Sequence, residues 1–282
     1  MGREECPKRR RKLKKRYFCI AFVTVAVIIL GIYEIVGLQR LGIELDQTTE
    51  QLVGMTLTRG IGGLVFLVLL WYLDYNVLNP IRKPFWRSLV FCIPAFCVVI
   101  NNLHIYTLII GVEKVTAGGG MIALLALECF CVGLFEEMAF RGVVFLGILE
   151  RRRGRVRDIV IAIIISSVIF GIVHSLNFFY MSPGAVLQQI GYSFLIGAMC
   201  SVVLVRTKNI WLCVVLHAIF NFGGALVPTL GEGFVWDIPT IVVTVIIALI
   251  TTVYMTLSLI KTPISQLDGI FKSKSEKITK MD

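Results

Sequence analysis

Two acidic side chains and one basic side chain lie close together inside an apolar stretch of the chain, the run from Leu134 to Arg141. Holding each of these charges in hydrocarbon is costly, so their presence needs a reason. On a helix, Glu137 and Arg141 are four residues apart with the acid first, the favourable order for an ion pair. Glu136 is rotated by about 100° from Glu137 and lacks that partner. We predict that Glu136 is a general base; the alternative is that all three charges only join helices.

Two of the three histidines also lie in apolar segments. Phe170 and His174 are four residues apart and share a helix face, as do His217 and Asn221. An imidazole and a carboxamide aimed at one point can donate hydrogen bonds to a developing oxyanion. Ordinary hydrogen bonding between membrane helices is the alternative for both pairs. The third histidine, His104, pairs with no motif and is expected to be a core residue.

The chain as a whole is too apolar for a soluble domain. Of its 282 residues, 57% are hydrophobic and 16% are charged, and its mean hydropathy is +0.84. The net charge of +10 could indicate nucleic-acid binding, but the basic residues fall in short clusters between apolar stretches. No basic patch is interleaved with aromatic residues. These features predict a polytopic, all-α membrane protein that does not bind nucleic acid.

Eight apolar stretches are close to the ~20 residues that a helix needs to cross a bilayer core. Their approximate ranges are 17–37, 53–73, 88–110, 121–149, 158–178, 186–205, 210–227 and 238–260. The sequence therefore predicts about eight transmembrane helices in a single membrane domain over 17–260. A basic segment, 1–16, precedes that domain and a tail, 261–282, follows it.

The basic residues alternate between the two sides of the predicted membrane domain. Of the 28 Lys and Arg residues, 24 fall in the segments on one side, whereas only Arg40 and Lys114 fall in the loops opposite. Arg59 and Arg141 lie inside spans. By the positive-inside rule, both termini are expected to be cytoplasmic. The compact loops and the lack of an organelle signal favour a bacterial inner membrane.

The cysteines give no sign of a disulfide framework. Seven of the eight lie in the predicted spans, where a thiol behaves as a small hydrophobic group. The pair Cys129 and Cys131 lacks the spacing of metal ligands. We therefore expect these cysteines to serve in packing.

Three motifs, taken together and in order, resemble those of the CAAX protease and bacteriocin-processing (CPBP, or Abi) family. They are Glu-Glu-x-x-x-Arg at Glu136, Phe-x-x-x-His at Phe170 and His-x-x-x-Asn at His217. The resemblance covers about residues 120–225. Members are intramembrane endopeptidases, including the type II CAAX prenyl endopeptidases, and bacterial relatives associated with bacteriocin maturation, immunity and pheromone processing.

The resemblance implies a role for each motif residue. Glu136 and His174 would activate water, and His217 with Asn221 would form the oxyanion site. Glu137 with Arg141 would brace the helix, and Phe170 would support the site. The implied substrate is a peptide in or at the membrane, either prenylated or bacteriocin-like or pheromone-like.

Two alternatives to this interpretation concern the metal and the function. Glu136, His174 and His217 could bind zinc with one open position. A metal-free site is preferred, because no His-Glu-x-x-His helix is present and an Asn beside the second histidine serves an oxyanion better. The rival functions are a proton-coupled transporter, for which the inverted repeats are missing, and a non-catalytic bacteriocin-immunity protein.

The predicted spans place the site residues at unequal depths. At 1.5 Å per residue, Glu136 and His174 lie about 20 Å from the cytoplasmic ends of their spans and His217 only about 10 Å. Straight, untilted helices would keep these residues apart. Tilt, a break near Gly142, or a fourth helix that continues through Arg151 would bring them together.

Overall fold

The structure, a computed structural model, describes residue 21 and residues 45–81, 84–152, 154–179 and 181–271. The described part of the chain is built almost entirely of helices. Its α-helices are α1 (Gln47–Leu73), α2 (Phe85–Phe91), α3 (Ile93–Asn101), α4 (Ile105–Ile109), α5 (Gly119–Glu136), α6 (Leu146–Arg151), α7 (Val156–Val173), α8 (Pro183–Thr207), α9 (Ile210–Leu230) and α10 (Ile238–Ile260). A π-helix, Glu137–Phe145, joins α5 to α6, and 3₁₀ helices cover His174–Phe179 and Ile264–Gly269.

Six helices among the described residues are long and apolar enough to cross a membrane. They are Gln47–Leu73, Gly119–Arg151, Val156–Phe179, Pro183–Thr207, Ile210–Leu230 and Ile238–Ile260. Six of the eight predicted spans coincide with these helices, which confirms the polytopic, all-α membrane bundle. Apart from residue 21, the first predicted span, 17–37, lies outside the described residues.

The prediction of one continuous helix over 88–110 is wrong. The region instead contains α2, α3 and α4. α3 begins at Ile93 with Pro94 in its first turn, and a proline there cannot donate the hydrogen bond that would continue the preceding helix. At the other end, His104 has a left-handed backbone with φ of 50°, which separates α3 from α4. Hydropathy alone does not detect either interruption.

α5 and the π-helix lie inside the bundle and carry the acidic motif. α5 packs between α1 and α9, and the π-helix contacts α1, α7, α8 and α9. Gly133 allows the approach of α9: a Cβ atom at this position would lie 3.0 Å from the carbonyl oxygen of Val214 and 3.2 Å from the nitrogen of Ala218. Because His217 lies between those two contact points on α9, this close packing brings its side chain next to the acids.

A short pair of strands joins two loops at one end of the bundle. β1 (Lys114–Val115) pairs antiparallel with β2 (Gly231–Glu232), and Lys114 lies opposite Glu232 in this pairing. Thr116 and Ala117 continue the contact, because their backbone nitrogens donate to the carbonyl oxygen of Leu230. The loop before α5 is thereby fixed to the end of α9.

The segment after α10 packs at the other end of the bundle, where α1 and α8 end. Tyr75, just after α1, forms an isolated β-bridge with Phe271. Gln266, in the 3₁₀ helix after α10, donates from Nε2 to the carbonyl oxygen of Arg206 at 2.8 Å and to that of Val205 at 3.4 Å. These carbonyls belong to the last turn of α8, where α-helical backbone partners are missing. The segment therefore caps α8.

Candidate active site

Glu136 is the last residue of α5, and its carboxylate faces two imidazoles. Its Oε2 lies 3.2 Å from Nε2 of His217, and its Oε1 lies 3.9 Å from Nε2 of His174. The Glu136 side chain is 16% exposed, whereas that of Glu137 is fully buried. The structure thus brings together three of the four residues that the sequence singled out for catalysis.

Glu137 is the first residue of the π-helix and has two charged or chargeable partners. Its Oε1 lies 3.0 Å from Nη1 of Arg141 and 2.6 Å from Nδ1 of His217. The contact with Arg141 is an ion pair without the alignment of a hydrogen bond, since neither Arg141 Nη atom has a hydrogen-bond partner among the described residues. The ion pair expected from the sequence is present.

The second partner of Glu137 is the one that sequence reasoning missed. His217 has a carboxylate at each ring nitrogen, Glu137 at Nδ1 and Glu136 at Nε2. A carboxylate accepts hydrogen bonds, so Nδ1 of His217 carries a proton that it donates to Glu137. This bond orients the ring so that Nε2 points at Glu136. No pattern within one helix could reveal it, because it depends on the register between α5 and α9.

The position of His174 determines which of its nitrogens can accept a proton. His174 follows the last residue of α7, and its Nδ1 lies 2.8 Å from the carbonyl oxygen of Phe170. A carbonyl oxygen only accepts, so Nδ1 is the donor and neutral His174 presents an unprotonated Nε2. At 3.9 Å, that nitrogen and Glu136 Oε1 are too far apart for a direct hydrogen bond and suitably spaced for a shared water.

Phe170 forms an aromatic wall beside both imidazoles. Its ring centroid lies 4.9 Å from that of His174 and 5.8 Å from that of His217, and both pairs are edge-to-face. The guanidinium of Arg141 lies 4.2 Å from the same centroid, a cation–π contact that helps to hold a buried charge. Phe170 thus contacts both imidazoles and Arg141, and its supporting role stays a prediction.

Two further residues lie beside Arg141 and were not predicted. A Cβ atom at Gly197 would lie 3.2 Å from Arg141 Nη2 and 3.3 Å from Ser167 Oγ. The Ser167 hydroxyl is buried and has no hydrogen-bond partner within the described ranges. Gly197 leaves room for the guanidinium, and the sequence does not distinguish it from the two other glycines of the span Pro183–Thr207.

Asn221 lies one helical turn beyond His217 on α9 and is half-buried. Its amide makes no hydrogen bond to another residue that the structure describes. The structure places Asn221 on the helix that carries His217 without assigning its side chain a partner. Its role in the oxyanion site stays a prediction.

The unequal depths expected from the sequence do not keep the residues apart. The fourth predicted span is an unbroken helical segment of 33 residues, Gly119–Arg151. It passes through Gly142 without a break and includes the nine-residue π-helix. π-helical turns are rare and are often found at functional sites. Of tilt, a break near Gly142 and an extension through Arg151, the extension is the one that the helix length matches.

The third histidine lies in a separate buried cluster, as its lack of a motif suggested. Nδ1 of His104 lies 3.1 Å from Oε1 of Glu113, which also accepts from the backbone nitrogen of Val235 at 3.0 Å. Burial raises the pKa of the Glu113 carboxyl, but hydrogen bonds from Thr107, Val235 and His104 outweigh it and leave that pKa below its usual value of 4.5. This cluster fixes the loop before β1.

The two histidines of the zinc alternative place their ligand atoms at unequal distances from Glu136. Ligands at about 2.1 Å from a tetrahedral zinc lie about 3.4 Å from one another. Glu136 and His217 satisfy this spacing at 3.2 Å, but Glu136 and His174 are 3.9 Å apart. Among the described residues, the group with ligand atoms within 4.8 Å of one another is Glu137, Cys200 and Cys213. In that group, Glu137 already contacts Arg141 and His217.

Comparison with known proteins identifies the region that holds these residues. No curated protein and no solved structure matches the chain. A family model does match, described as Rce1-like, type II CAAX prenyl endopeptidase Rce1-like, over residues 118–223. That range includes every predicted site residue, from Glu136 to Asn221, and agrees with the 120–225 inferred from the motifs. Residues 118–223 of the chain are therefore similar to the type II CAAX prenyl endopeptidase Rce1-like family.

Proposed function

We propose that the protein hydrolyses a peptide bond of a membrane-associated peptide with a water molecule activated by Glu136 and His174. The observation that carries the proposal is the single carboxylate facing two imidazoles, 3.9 Å from His174 and 3.2 Å from His217. The family points to the same chemistry, since its named members are endopeptidases. A prenylated C-terminal tail is the first substrate class to test, and bacteriocin-like or pheromone-like peptides are the second.

The proposed first step places a water between two acceptors. The water donates one hydrogen bond to Nε2 of His174 and the other to Oε1 of Glu136. Glu136 takes the proton as the water oxygen attacks the peptide carbonyl carbon, and His174 keeps the attacking oxygen oriented. Glu136 then gives that proton to the nitrogen of the leaving peptide. No side-chain nucleophile or acyl-enzyme is required.

The proposed oxyanion site uses His217 and Asn221. For His217 to donate from Nε2, its imidazole must be protonated at both nitrogens. Glu137 would hold the ring in place for this step, because its fully buried carboxylate lies 2.6 Å from Nδ1. The peptide carbonyl oxygen would enter beside Nε2, and the Asn221 amide would supply the second donor. Removing one such donor typically lowers the rate by about 10²–10³-fold.

We further propose that the reaction needs no metal. The spacing of the three candidate ligands suits a shared water better than a tetrahedral zinc. His217 also has a carboxylate at each ring nitrogen, Glu137 at Nδ1 and Glu136 at Nε2, so both nitrogens already have partners within the protein.

The proposal is tested by comparing membrane peptides in cells that express the wild type, Glu136→Gln or Glu232→Gln. Glu232 is an exposed acid in β2 and provides the matched control. We expect uncleaved peptides to accumulate with Glu136→Gln at normal protein level, because the amide keeps the shape but accepts no proton. Purified protein should then cleave the accumulating peptide, and Asn221→Ala should slow that cleavage about 10²–10³-fold.

Identical peptide patterns for the wild type and Glu136→Gln, with both proteins folded, would contradict a hydrolase. That result would favour a non-catalytic immunity function. Loss of cleavage in Glu232→Gln as well would show that the assay follows expression rather than chemistry.

A further inference from the structure

A polar cavity lies where α2, the last turn of α8 and the 3₁₀ helix Ile264–Gly269 meet. Its volume is about 290 Å³, close to the lower end of the ~300–1,000 Å³ range of small-molecule sites. Arg87, Arg206 and Lys208 line it, and none of the described lining residues is acidic. None of the residues placed in the candidate active site lines this cavity.

The neutral polar lining is held by its own hydrogen bonds. The Thr207 hydroxyl donates to the Val203 carbonyl oxygen at 2.7 Å, and the Gln266 amide nitrogen donates to the carbonyl oxygens of Arg206 and Val205. The donors left for an anion are those of the cationic side chains, and arginine offers a planar fork of donors that suits phosphate.

The Arg206 side chain is held in the wall of the cavity by contacts with other residues. Its Nη1 donates to Thr262 Oγ1 at 3.1 Å, and its guanidinium lies 5.5 Å from the centroid of the Phe91 ring. The backbone at Arg206 is fixed as well, because its carbonyl oxygen accepts from Gln266 at 2.8 Å. A cation held in this way loses less conformational entropy when it binds an anion than a mobile surface lysine does.

The electrostatics of the cavity favour an anion. The C-terminal end of α8 contributes only about half a negative charge, and Gln266 already caps two of its carbonyls. The two arginine side chains, Arg87 and Arg206, outweigh that partial charge and repel each other, and a bound anion reduces the repulsion.

The position of the cavity indicates where the anion comes from. Arg87, Arg206 and Lys208 all belong to chain segments that the positive-inside rule assigns to the cytoplasmic side. Trp86, beside Arg87, is 76% exposed, as is typical of tryptophan at a membrane–water interface. Basic pockets between membrane helices on this side bind the head groups of anionic lipids.

We propose that this cavity binds a phosphate ester, supplied by the head group of an anionic phospholipid. The same chemistry would accept free phosphate, so the two sources are compared directly. Short-chain phosphatidylglycerol, short-chain phosphatidylcholine and inorganic phosphate are titrated into the purified full-length protein, and the Tm is followed. We expect saturable stabilisation by phosphatidylglycerol, weaker stabilisation by inorganic phosphate and none specific to phosphatidylcholine.

Charge-removing variants locate the binding. Arg87→Gln should weaken phosphatidylglycerol binding about five-fold and the double variant Arg87→Gln with Lys208→Asn about 25-fold, at roughly one interfacial charge each. Asn is chosen because Lys208 has a φ of 56°, which asparagine tolerates. Arg157→Gln, an exposed residue of α7 that does not line the cavity, should bind as the wild type does.

Each outcome decides the proposal. Equal affinity for inorganic phosphate and phosphatidylglycerol, lost in the double variant, would support the anion site and assign it to free phosphate. No saturable response to either anion, or an affinity unchanged in the double variant, would overturn the proposal. If the double variant alone proves unstable, Arg87→Gln compared with Arg87→Lys decides, since only the lysine keeps the charge.

Discussion

Replacing Glu137 by glutamine should destabilise the protein far more than replacing its neighbour Glu136. Glu137 is fully buried, with Arg141 at 3.0 Å and His217 at 2.6 Å. The variant would leave Arg141 buried without a counter-charge. Breaking a buried pair in this way costs about 3–5 kcal/mol, which for a chain of this size corresponds to a Tm lowered by roughly 6–20 °C. Glu136 has no arginine partner among the described residues, so Glu136→Gln should change the Tm by only about 2–4 °C, or about 1 kcal/mol.

A second substitution separates charge pairing from positioning. Arg141→Met alone should also destabilise, because it leaves Glu137 without its cation. The double variant Glu137→Gln with Arg141→Met removes both charges, and such neutral replacements are often tolerated. We therefore expect the double variant to have a higher Tm than either single variant, with a coupling free energy of about 2 kcal/mol or more.

Activity should not recover with stability. In the double variant, the glutamine that replaces Glu137 can still accept the His217 hydrogen bond through its amide oxygen, but it no longer stabilises an imidazolium. We expect kcat to stay reduced about 10-fold or more while the Tm recovers. The measurements are Tm by thermal unfolding in detergent and kcat on an identified peptide. Single variants with wild-type Tm, or full activity in the double variant, would refute the reasoning.

Three further predictions concern packing, pH and metal. Gly133→Ala should lower the Tm by several degrees and kcat at least about 10-fold, because its Cβ atom would press on the Val214 carbonyl at 3.0 Å and separate α5 from α9. The control is Gly147→Ala, which has no atom within 4 Å of the new Cβ and should change neither the Tm nor kcat. The pKa of Glu113 is lowered in the folded protein, so its contribution to stability is complete above pH 4.5 and is lost as the pH falls through the folded-state pKa. Glu113→Gln should therefore flatten the acid side of the plot of Tm against pH, and an unchanged plot would contradict this. Protein treated with a tight chelator should keep its activity, whereas loss reversed by zinc would show a metal enzyme.

Much of the fold followed from hydropathy because spanning helices are long and continuous. The spans from 121 to 260 were located within a few residues, since each is a single apolar run. The region 88–110 was mispredicted for a physical reason: its apolar residues continue through Pro94 and His104, where the backbone cannot remain helical. Local chain geometry, rather than apolarity, ends those helices.

The site was predictable to the extent that it depends on spacing within one helix. Glu137 with Arg141 and Phe170 with His174 are four residues apart, and both pairs are in contact. The hydrogen bond from His217 to Glu137 was not predictable, because it joins residues 80 apart through the packing of two helices. The sequence assigned Glu137 to bracing alone, whereas the structure also places it on the imidazole.

The π-helix makes this part of the chain tolerant of a change of length. A π turn closes its hydrogen bonds over five residues instead of four, as Leu146 does with the Arg141 carbonyl, and so resembles an α-helix with an inserted residue. Deleting one residue after Arg141 would allow ordinary α-helical winding and leave α6 facing the bundle much as before, whereas a deletion in a regular α-helix would rotate the residues after it by about 100°. Related chains with and without that residue would share the Glu-Glu-x-x-x-Arg motif and present a similar face of α6 to the bundle.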